Sequence, residues 1–443
     1  MRAKNTYLIF ALINLMAVVV VFTGWWPVPG SYFLLEPVLF CAIAVLCLCM
    51  LPVGEVRINC RSFVAYAAVA AWVILSDALS GEFLPALARD VHWLILPLLV
   101  VLYTRLFARG EEPLKILQVA VVLSLIAICY HLIDVADGVF NWAKFPIFGN
   151  IRRLAMTVGL MSVFLYRDTG YRQTEQWLFV LARIIGLGLL FWSGSRGAML
   201  SWLFAFLTFV CLTGQWSKLR GWLLEVIVAI ALALWFDVGH PSMGFLNAFS
   251  RRLSTGTIDG ISSGRLTLWL NTLDALREPG VALLGAGGNG FVRLRLMFDQ
   301  IFHPHNIGLQ VLVDWGAGGF LLLLWLVRQG MPERSAWRAS KDSMTGLGAA
   351  LMVFLLLTGL LDGGLYHLQY LFFAAISFAL IARPIAVAAS DNEGIAQQIT
   401  VPRLGIAGLL FAAMLLHWVV RDYRVVWPIT SHLNPTYVVP HRG

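Results

Sequence analysis

Long apolar runs recur along almost the whole chain and constrain its fold more than any other feature. Of its 443 residues, 59% are hydrophobic and only 13% are charged. A window of roughly 19 residues predicts about twelve or thirteen helices that cross a bilayer. The candidate spans lie near residues 6–23, 33–51, 62–80, 90–107, 115–133, 150–166, 177–193, 197–213, 219–236, 306–328, 344–361, 365–382 and 404–420. This pattern excludes a soluble domain and predicts an all-α polytopic membrane protein.

The distribution of basic residues between the spans predicts the orientation of the bundle. If the amino terminus lies inside, the inner loops are rich in Lys and Arg, whereas the short outer loops hold little beyond Arg89 and Lys144. This bias is typical of cytoplasmic loops, and it also accounts for the net charge of +8 without any nucleic-acid partner. It predicts that the largest loop, 237–306, lies on the outer side, which is the periplasm if the cell is a Gram-negative bacterium.

That loop is the one long stretch unsuited to lipid, so we predict a single membrane domain, 1–443, with the loop folded on its outer face. Within the loop, apolar residues at helical spacing predict an amphipathic helix near 263–277. The stripe is formed by Leu266, Trp269, Leu270, Leu273 and Leu276. Ser262 or Ser263 is the expected N-cap, and Pro279 with Gly280 ends the helix.

Arginines stand at several predicted helix amino termini on the outer side: Arg152, Arg153, Arg196 and Arg265. A helix amino terminus favours an anion, and a guanidinium offers forked donors that suit phosphate. Contact with lipid head groups is the alternative for any one of them. Arg196 is the strongest candidate because it lies between two apolar runs, 187–192 and 198–210. Convergence of these termini would form a cradle for a diphosphate.

The segment His303-Pro304-His305-Asn306 closes the loop and supplies a candidate base. A neutral imidazole accepts a proton near physiological pH, and Asn306 beside it is suited to position a sugar hydroxyl. A purely structural histidine is the alternative, and His303 and His367 are further candidates for the base. The outer carboxylates are scattered without a D-x-D pair, which predicts a site with no metal and no cofactor. They include Asp259, Asp274, Asp299 and Asp362.

The glycine-rich run 285–290 spells a dinucleotide fingerprint, yet it lacks the strand–helix–strand unit that such a site needs. We therefore expect a flexible turn at which the loop doubles back.

Together these motifs resemble those of the O-antigen ligase family, within the group of ligases and polymerases that handle lipid-linked glycans. The resemblance covers most of the chain and depends on Arg196, Arg265, the glycine-rich turn and His305. His305, Asn306, Gly316 and Gly319 meet the sequence pattern of this family. The pattern begins with His, followed by Asn, Ser or Gln and by nine further residues. It ends with Gly, two further residues, and Gly, Thr or Tyr.

The resemblance implies a type-C glycosyltransferase fold and transfer of a finished polysaccharide from undecaprenyl diphosphate to lipid A–core oligosaccharide. It fits Arg196 and Arg265 binding the diphosphate, Arg152, Arg153, Asn306 and His303 assisting in substrate binding, and His305 acting as base. Membrane lipids are the other expected partners. O-antigen polymerase, protein O-oligosaccharyltransferase and, in a different class, a transporter of lipid-linked saccharide are the alternatives.

Overall fold

Helices account for nearly all of the chain that the structure describes. This computed structural model describes residues 56–136, 151–167, 173–239, 264–288, 290–294, 303–331, 342–363, 365, 368–391 and 398–401. The predicted spans near 6–23, 33–51 and 404–420 lie outside these ranges.

The described elements comprise helices of very different length and one pair of short strands. The helices are α1 Cys60–Leu79, α2 Phe83–Ala108, α3 Glu112–Ala136, α4 Ile151–Phe164, α5 Gln173–Trp192, α6 Arg196–Thr213, α7 Leu219–Gly239, α8 Arg265–Ala275, α9 Pro279–Leu284, α10 Gly290–Arg293, α11 Ile307–Gly330, α12 Ser343–Asp362 and α13 Leu368–Asp391. A 3-10 turn, Trp216–Lys218, leads into α7. Strands β1 Val56–Asn59 and β2 Gln398–Val401 pair antiparallel, with Val56 opposite Val401.

Seven of the described helices are long and apolar enough to cross a membrane: α1, α2, α3, α6, α7, α11 and α12. Shorter apolar stretches lie in α5 and α13. Each predicted span from 62–80 to 365–382 coincides with one of the helices α1–α7 or α11–α13. The prediction of an all-α polytopic membrane protein is therefore confirmed. The type-C bundle remains a prediction.

Helices α4 and α12 lie at the centre of the bundle. Every residue of α4 from Leu154 to Phe164 is buried, and α12 packs closely against α4, α6 and α13. Small residues permit this close approach: a methyl group built on Gly159 would lie 2.9 Å from the ring of Phe354. At the α12–α13 contact, the Ser377 hydroxyl donates to the carbonyl of Gly348 at 2.7 Å. Such contacts are typical of helix packing inside membranes.

Helix α12 also defines the two ends of the bundle. At its start, Asp342 accepts a hydrogen bond from Arg383 at 2.5 Å. Nearby, Arg167 donates to Glu111 at 2.5 Å and to the Ser343 hydroxyl at 2.8 Å. At its other end, which we call the site end, α12 finishes at Asp362 beside the amino termini of α6 and α8. The alternating directions of the helices thus bring distant polar motifs to one end.

Candidate active site

Asp362, the last residue of α12, is the point on which the site end converges. Its carboxylate is almost completely buried and forms an ion pair with Arg265, the first residue of α8. Gly197, in the first turn of α6, is so close that a methyl group built on it would lie 2.8 Å from Asp362 Oδ2. The carboxylate therefore lies between two helix amino termini, where a negative charge is favoured.

A helix is present in this part of the loop, with narrower bounds and a different start from those predicted. Its buried residues are Leu268 and Thr272, whereas Leu266, Leu270 and Leu273 of the predicted apolar stripe are exposed. Helix α8 runs from Arg265 to Ala275, and Gly264, in the left-handed conformation, precedes it without any side-chain cap. The prediction of a serine N-cap was wrong, since neither Ser262 nor Ser263 occupies that position. Trp269 of α8 donates its indole N–H to the carbonyl of Pro304 at 2.8 Å. The helix is thereby attached to the histidine segment.

The histidine segment leads directly into α11. Asn306 caps this helix, because its Oδ1 accepts the backbone N–H of Leu309 at 3.1 Å. This structural role was not part of the prediction for Asn306. His305 adopts a left-handed backbone with φ 53°, the only non-glycine residue with positive φ in the described ranges. The rings of His303 and His305 lie 4.1 Å apart between centroids.

The hydrogen bonding of His305 determines which ring nitrogen is available for chemistry. Its Nδ1 lies 3.3 Å from the carbonyl oxygen of Asp362. A carbonyl can only accept, so Nδ1 carries the proton and Nε2 holds the lone pair of the neutral ring. Burial, and then the positive charges of Arg265, Arg152 and Arg153, lower the pKa of His305 to about 4 despite this hydrogen bond. At neutral pH the imidazole is therefore an uncharged proton acceptor.

The remaining predicted arginines lie at helix starts of the site end. Arg152 and Arg153 are half-buried in the first turn of α4, and their charges act on His305. The Tyr370 hydroxyl of α13 donates to the carbonyl of Arg153 at 3.1 Å, which fixes the start of α4. Arg196 is the half-buried first residue of α6. The structure thus brings Arg265, His305 and the start of α6 together on Asp362, with Arg152 and Arg153 close by.

The glycine-rich run is a docked turn, and the prediction of a flexible turn was wrong. The N–H of Gly288 donates to Asp77 of α1 at 2.8 Å, and the N–H of Gly290 donates to the Asp314 carboxylate at 2.8 Å. Asp314 also accepts, through its carbonyl, the N–H of Gly287 at 2.7 Å. Arg293 donates to the carbonyls of Ala286 and Gly288. The loop is therefore tied to two membrane helices.

The structure explains why the two positions of the family pattern, 316 and 319, are glycine. Gly316 has φ 65° and ψ −173° inside α11, and a methyl group built on it would lie 2.2 Å from the carbonyl oxygen of Leu283. A methyl group on Gly319 would lie 2.4 Å from Cβ of Trp315. The kink at Gly316 lets α9 and the docked turn pack against α11. The kink separates the first turns of α11, which follow His305 in the chain, from the rest of the helix.

Sequence reasoning missed the importance of several acidic residues at this end. Asp362 was counted only among scattered carboxylates, and Asp77, Asp90 and Asp314 were not considered. Trp315 donates its indole N–H to Asp90 at 2.6 Å, so the buried acids bind polar groups of the docked turn and of α11. The sequence contained a signal that could have identified these acidic residues, because an acidic residue inside an apolar span is a candidate for function by default.

Other predicted features fall on residues that the structure does not describe, including His367, Asp259 and Asp299. Within the described ranges, no group of three or more His, Cys, Asp or Glu side chains is arranged to hold a metal ion. Independence from metals and cofactors stays a prediction.

Comparison with known proteins adds one finding to this geometry. A family model described as O-antigen ligase matches residues 181–324. The matched region contains Arg196, Arg265 and His305, and it ends before Asp362. No curated protein matches the chain. The part of the chain that carries Arg196, Arg265 and His305 is therefore similar to the O-antigen ligase family.

Proposed function

We propose that this protein is a glycosyltransferase of the O-antigen ligase family, which joins O-antigen polysaccharide, carried on undecaprenyl diphosphate, to lipid A–core oligosaccharide. The match of residues 181–324 to the family model supports a ligase- or polymerase-type enzyme of the membrane. The donor and the acceptor are part of our proposal. We also propose that the reaction needs no metal and inverts the anomeric carbon, and that the site lies in the inner membrane and faces the periplasm.

One observation carries the proposal: a single residue, Asp362, links a candidate base to a candidate anion site. Its carbonyl accepts Nδ1–H of His305, and its carboxylate pairs with Arg265. A transferase needs both functions within the length of one sugar, the base at the attacking hydroxyl and the cations at the leaving group. This arrangement supports transfer to an oxygen nucleophile better than simple binding of a lipid.

In the proposed reaction, a hydroxyl oxygen of the acceptor attacks the anomeric carbon of the donor. The bond between that carbon and the diphosphate oxygen breaks, and its electron pair leaves with the diphosphate. The hydroxyl proton moves to Nε2 of His305, whose other nitrogen stays hydrogen-bonded to Asp362. A single displacement from the opposite face inverts the anomeric configuration. It requires no covalent intermediate on the protein.

The arginines have two effects in this reaction. Arg196 and Arg265, assisted by Arg152 and Arg153, stabilise the charge that develops on the leaving diphosphate. A guanidinium has five N–H donors, more than one carboxylate can accept, so the ion pair of Arg265 with Asp362 is compatible with contacts to phosphate. The bound diphosphate also offsets the charges that lower the pKa of His305. Donor binding therefore makes the imidazole a stronger base.

Purified protein, mixed with lipid-linked O-antigen and lipid A–core in detergent, tests the proposal. We expect His305→Ala to slow transfer by about 10²–10⁴-fold. We expect Arg196→Ala to slow it by roughly 10²–10³-fold. Arg277→Ala is the matched control, because Arg277 lies on the same loop with its side chain 84% exposed. Transfer at the wild-type rate in well-folded Arg196→Ala protein would remove that residue from the mechanism.

Two alternatives share the chemistry and differ in the acceptor: O-antigen polymerase and protein O-oligosaccharyltransferase. A gene deletion separates the first from the ligase. Loss of capped lipopolysaccharide while long lipid-linked chains are still made indicates the ligase, whereas capping by a single repeat indicates the polymerase. Transfer of the glycan to a protein hydroxyl in the purified system would indicate the oligosaccharyltransferase.

A transporter of lipid-linked saccharide is the alternative of another class. A transport path needs cations available along the depth of the membrane. Arg183 in the middle of α5 is instead neutralised by Glu225 of α7 through two hydrogen bonds, at 2.8 and 2.7 Å, and also donates to the carbonyl of Leu165. This pairing favours a structural role. Transfer in detergent, with no membrane to cross, would exclude the transporter.

A further inference from the structure

His303 and His305 have opposite hydrogen-bonding roles although they lie two residues apart. Nδ1 of His303 accepts the backbone N–H of His305 at 3.2 Å. A backbone N–H can only donate, so Nδ1 of His303 carries no proton, and in the neutral ring the proton is on Nε2. His305 has the reverse tautomer, with Nδ1–H donated to the carbonyl of Asp362. Only His305 therefore has its lone pair on Nε2.

The bond between the two histidines supports an unusual backbone conformation. His305 has φ 53°, a left-handed value that a residue with a β-carbon adopts only when its surroundings hold it there. Nδ1 of His303 accepts a hydrogen bond from the backbone N–H of His305 in this conformation. The orientation of the His305 side chain follows from that backbone, because the Cα–Cβ bond turns with φ.

Close neighbours restrict the position of the His303 ring. A methyl group built on Gly363, which follows Asp362, would lie 3.0 Å from Nδ1 and Cε1 of the His303 ring. The centroid of the His305 ring lies 4.1 Å from that of His303, and the two rings are tilted by 56°. The carbonyl of Pro304, between the two histidines, accepts the indole N–H of Trp269. The His303 ring thus lies in a fixed position from which it can hold the His305 backbone.

We propose that His303 is a positioning residue, which acts through the backbone of His305 to aim Nε2 of that ring at the acceptor hydroxyl, and that it is not itself the base. This inference rests on the proposed transfer reaction. It replaces the sequence-based expectation that His303 binds substrate or serves as an alternative base. For His303 to act as a base at Nε2, its proton would have to move to Nδ1, where it would face the N–H of His305 at 3.2 Å. Two donors would then oppose each other.

Two substitutions of similar polarity separate this role from the others. In His303→Asn the side-chain oxygen occupies the place of Nδ1 and can accept the His305 N–H. In His303→Gln the amide reaches the place of Nε2 and leaves that N–H without its acceptor. His303→Ala removes both functions. Initial rates of transfer from a lipid-linked donor to lipid A–core, as a function of donor concentration and pH, give kcat and KM for each variant.

We expect His303→Asn to retain kcat within about threefold, and the Gln and Ala variants to lose roughly 10²-fold, the cost of a misplaced catalytic group. KM for the donor should change little, and the acid limb of kcat/KM should stay where it is in the wild type. Three results would overturn the proposal: equal losses of 10²-fold or more in all three variants, activity kept in the Gln variant and lost in the Asn variant, or an acid limb that disappears.

A spectroscopic measurement tests the tautomers without depending on transfer. In wild-type protein labelled with ¹⁵N at histidine, two-bond correlations to the ring protons show which nitrogen carries the proton, and single-histidine substitutions assign the signals among the nine histidines. We expect protonated Nε2 in His303 and protonated Nδ1 in His305. Protonated Nδ1 in His303 overturns the proposal. If wild-type protein transfers no sugar, the proposed function fails, while this spectrum still decides the position of the proton.

Discussion

Helix α11 turns sharply at Gly316, and the substitution Gly316→Ala has an effect that follows directly from the geometry. The residue has φ 65° and ψ −173°, a region of backbone conformation that is almost confined to glycine. Placing a side chain there costs about 1–3 kcal/mol in backbone strain. The new methyl group would also lie 2.2 Å from the carbonyl oxygen of Leu283 and 2.6 Å from the backbone nitrogen of Gly285.

Those neighbours are backbone atoms, so no side-chain rotation relieves the overlap. Overpacking of this kind costs about 1–3 kcal/mol. Together the two effects predict a loss of roughly 2–6 kcal/mol in the free energy of unfolding. The loss should also reach the site, because His305 lies at the head of the segment that Gly316 separates from the rest of α11. We therefore expect slower transfer as well as lower stability.

Gly330→Ala is the matched control in the same helix. Gly330 ends α11, has no atom within 4 Å of a built methyl group, and does not have positive φ. A surface change of this kind alters stability by about 0.5 kcal/mol or less. Denaturant unfolding of the two variants in detergent, followed by tryptophan fluorescence, gives the comparison. If they differ by less than about 1 kcal/mol and transfer equally fast, the reasoning about the kink is refuted.

Three further predictions concern the site. Burial and nearby arginines hold the pKa of His305 at about 4, and the base works only when it is neutral. We therefore expect kcat/KM to stay level from pH 7 to about 5 and to fall at lower pH. A fall in kcat/KM centred near pH 6.5 would contradict this prediction. Arg265→Lys keeps the charge and loses the forked donors, so kcat should drop by roughly 10²-fold while exposed Arg277→Lys has no effect. Transfer should continue in EDTA; activity that vanishes and returns with a divalent cation would show that the site needs a metal.

The candidate residues could be predicted because each is an exception to its surroundings. Arg196 interrupts an apolar run, while Arg265 and His305 lie in the one long hydrophilic loop, 237–306. Such residues are costly near a membrane, so their type and position indicate function without any knowledge of the fold. What they contact could not be predicted in the same way. Arg265 and His305 meet Asp362 across 97 and 57 residues of sequence, and no local pattern records such a contact.

The two errors in local structure have the same origin. The glycine-rich run was predicted to be flexible because glycine lacks a side chain that restrains the backbone. The turn is nevertheless held by Asp77, which lies 211 residues from Gly288, and by Asp314. Likewise, two serines near the start of α8 suggested a cap, yet the helix begins at Arg265, whose side chain pairs with α12. In both places tertiary contacts outweigh local propensity.

The sequence by itself determined that the chain forms membrane helices, where most of them lie, and which polar residues are unusual. It could do so because a backbone in lipid must satisfy its own hydrogen bonds, so that apolar length alone specifies a helix. Only the tertiary structure decided that the ends of α6, α8 and α12 share one buried carboxylate, and that His305 presents Nε2 rather than Nδ1. These features depend on which helices pack together and on the backbone angles at single residues, and many different packings are compatible with the same apolar pattern.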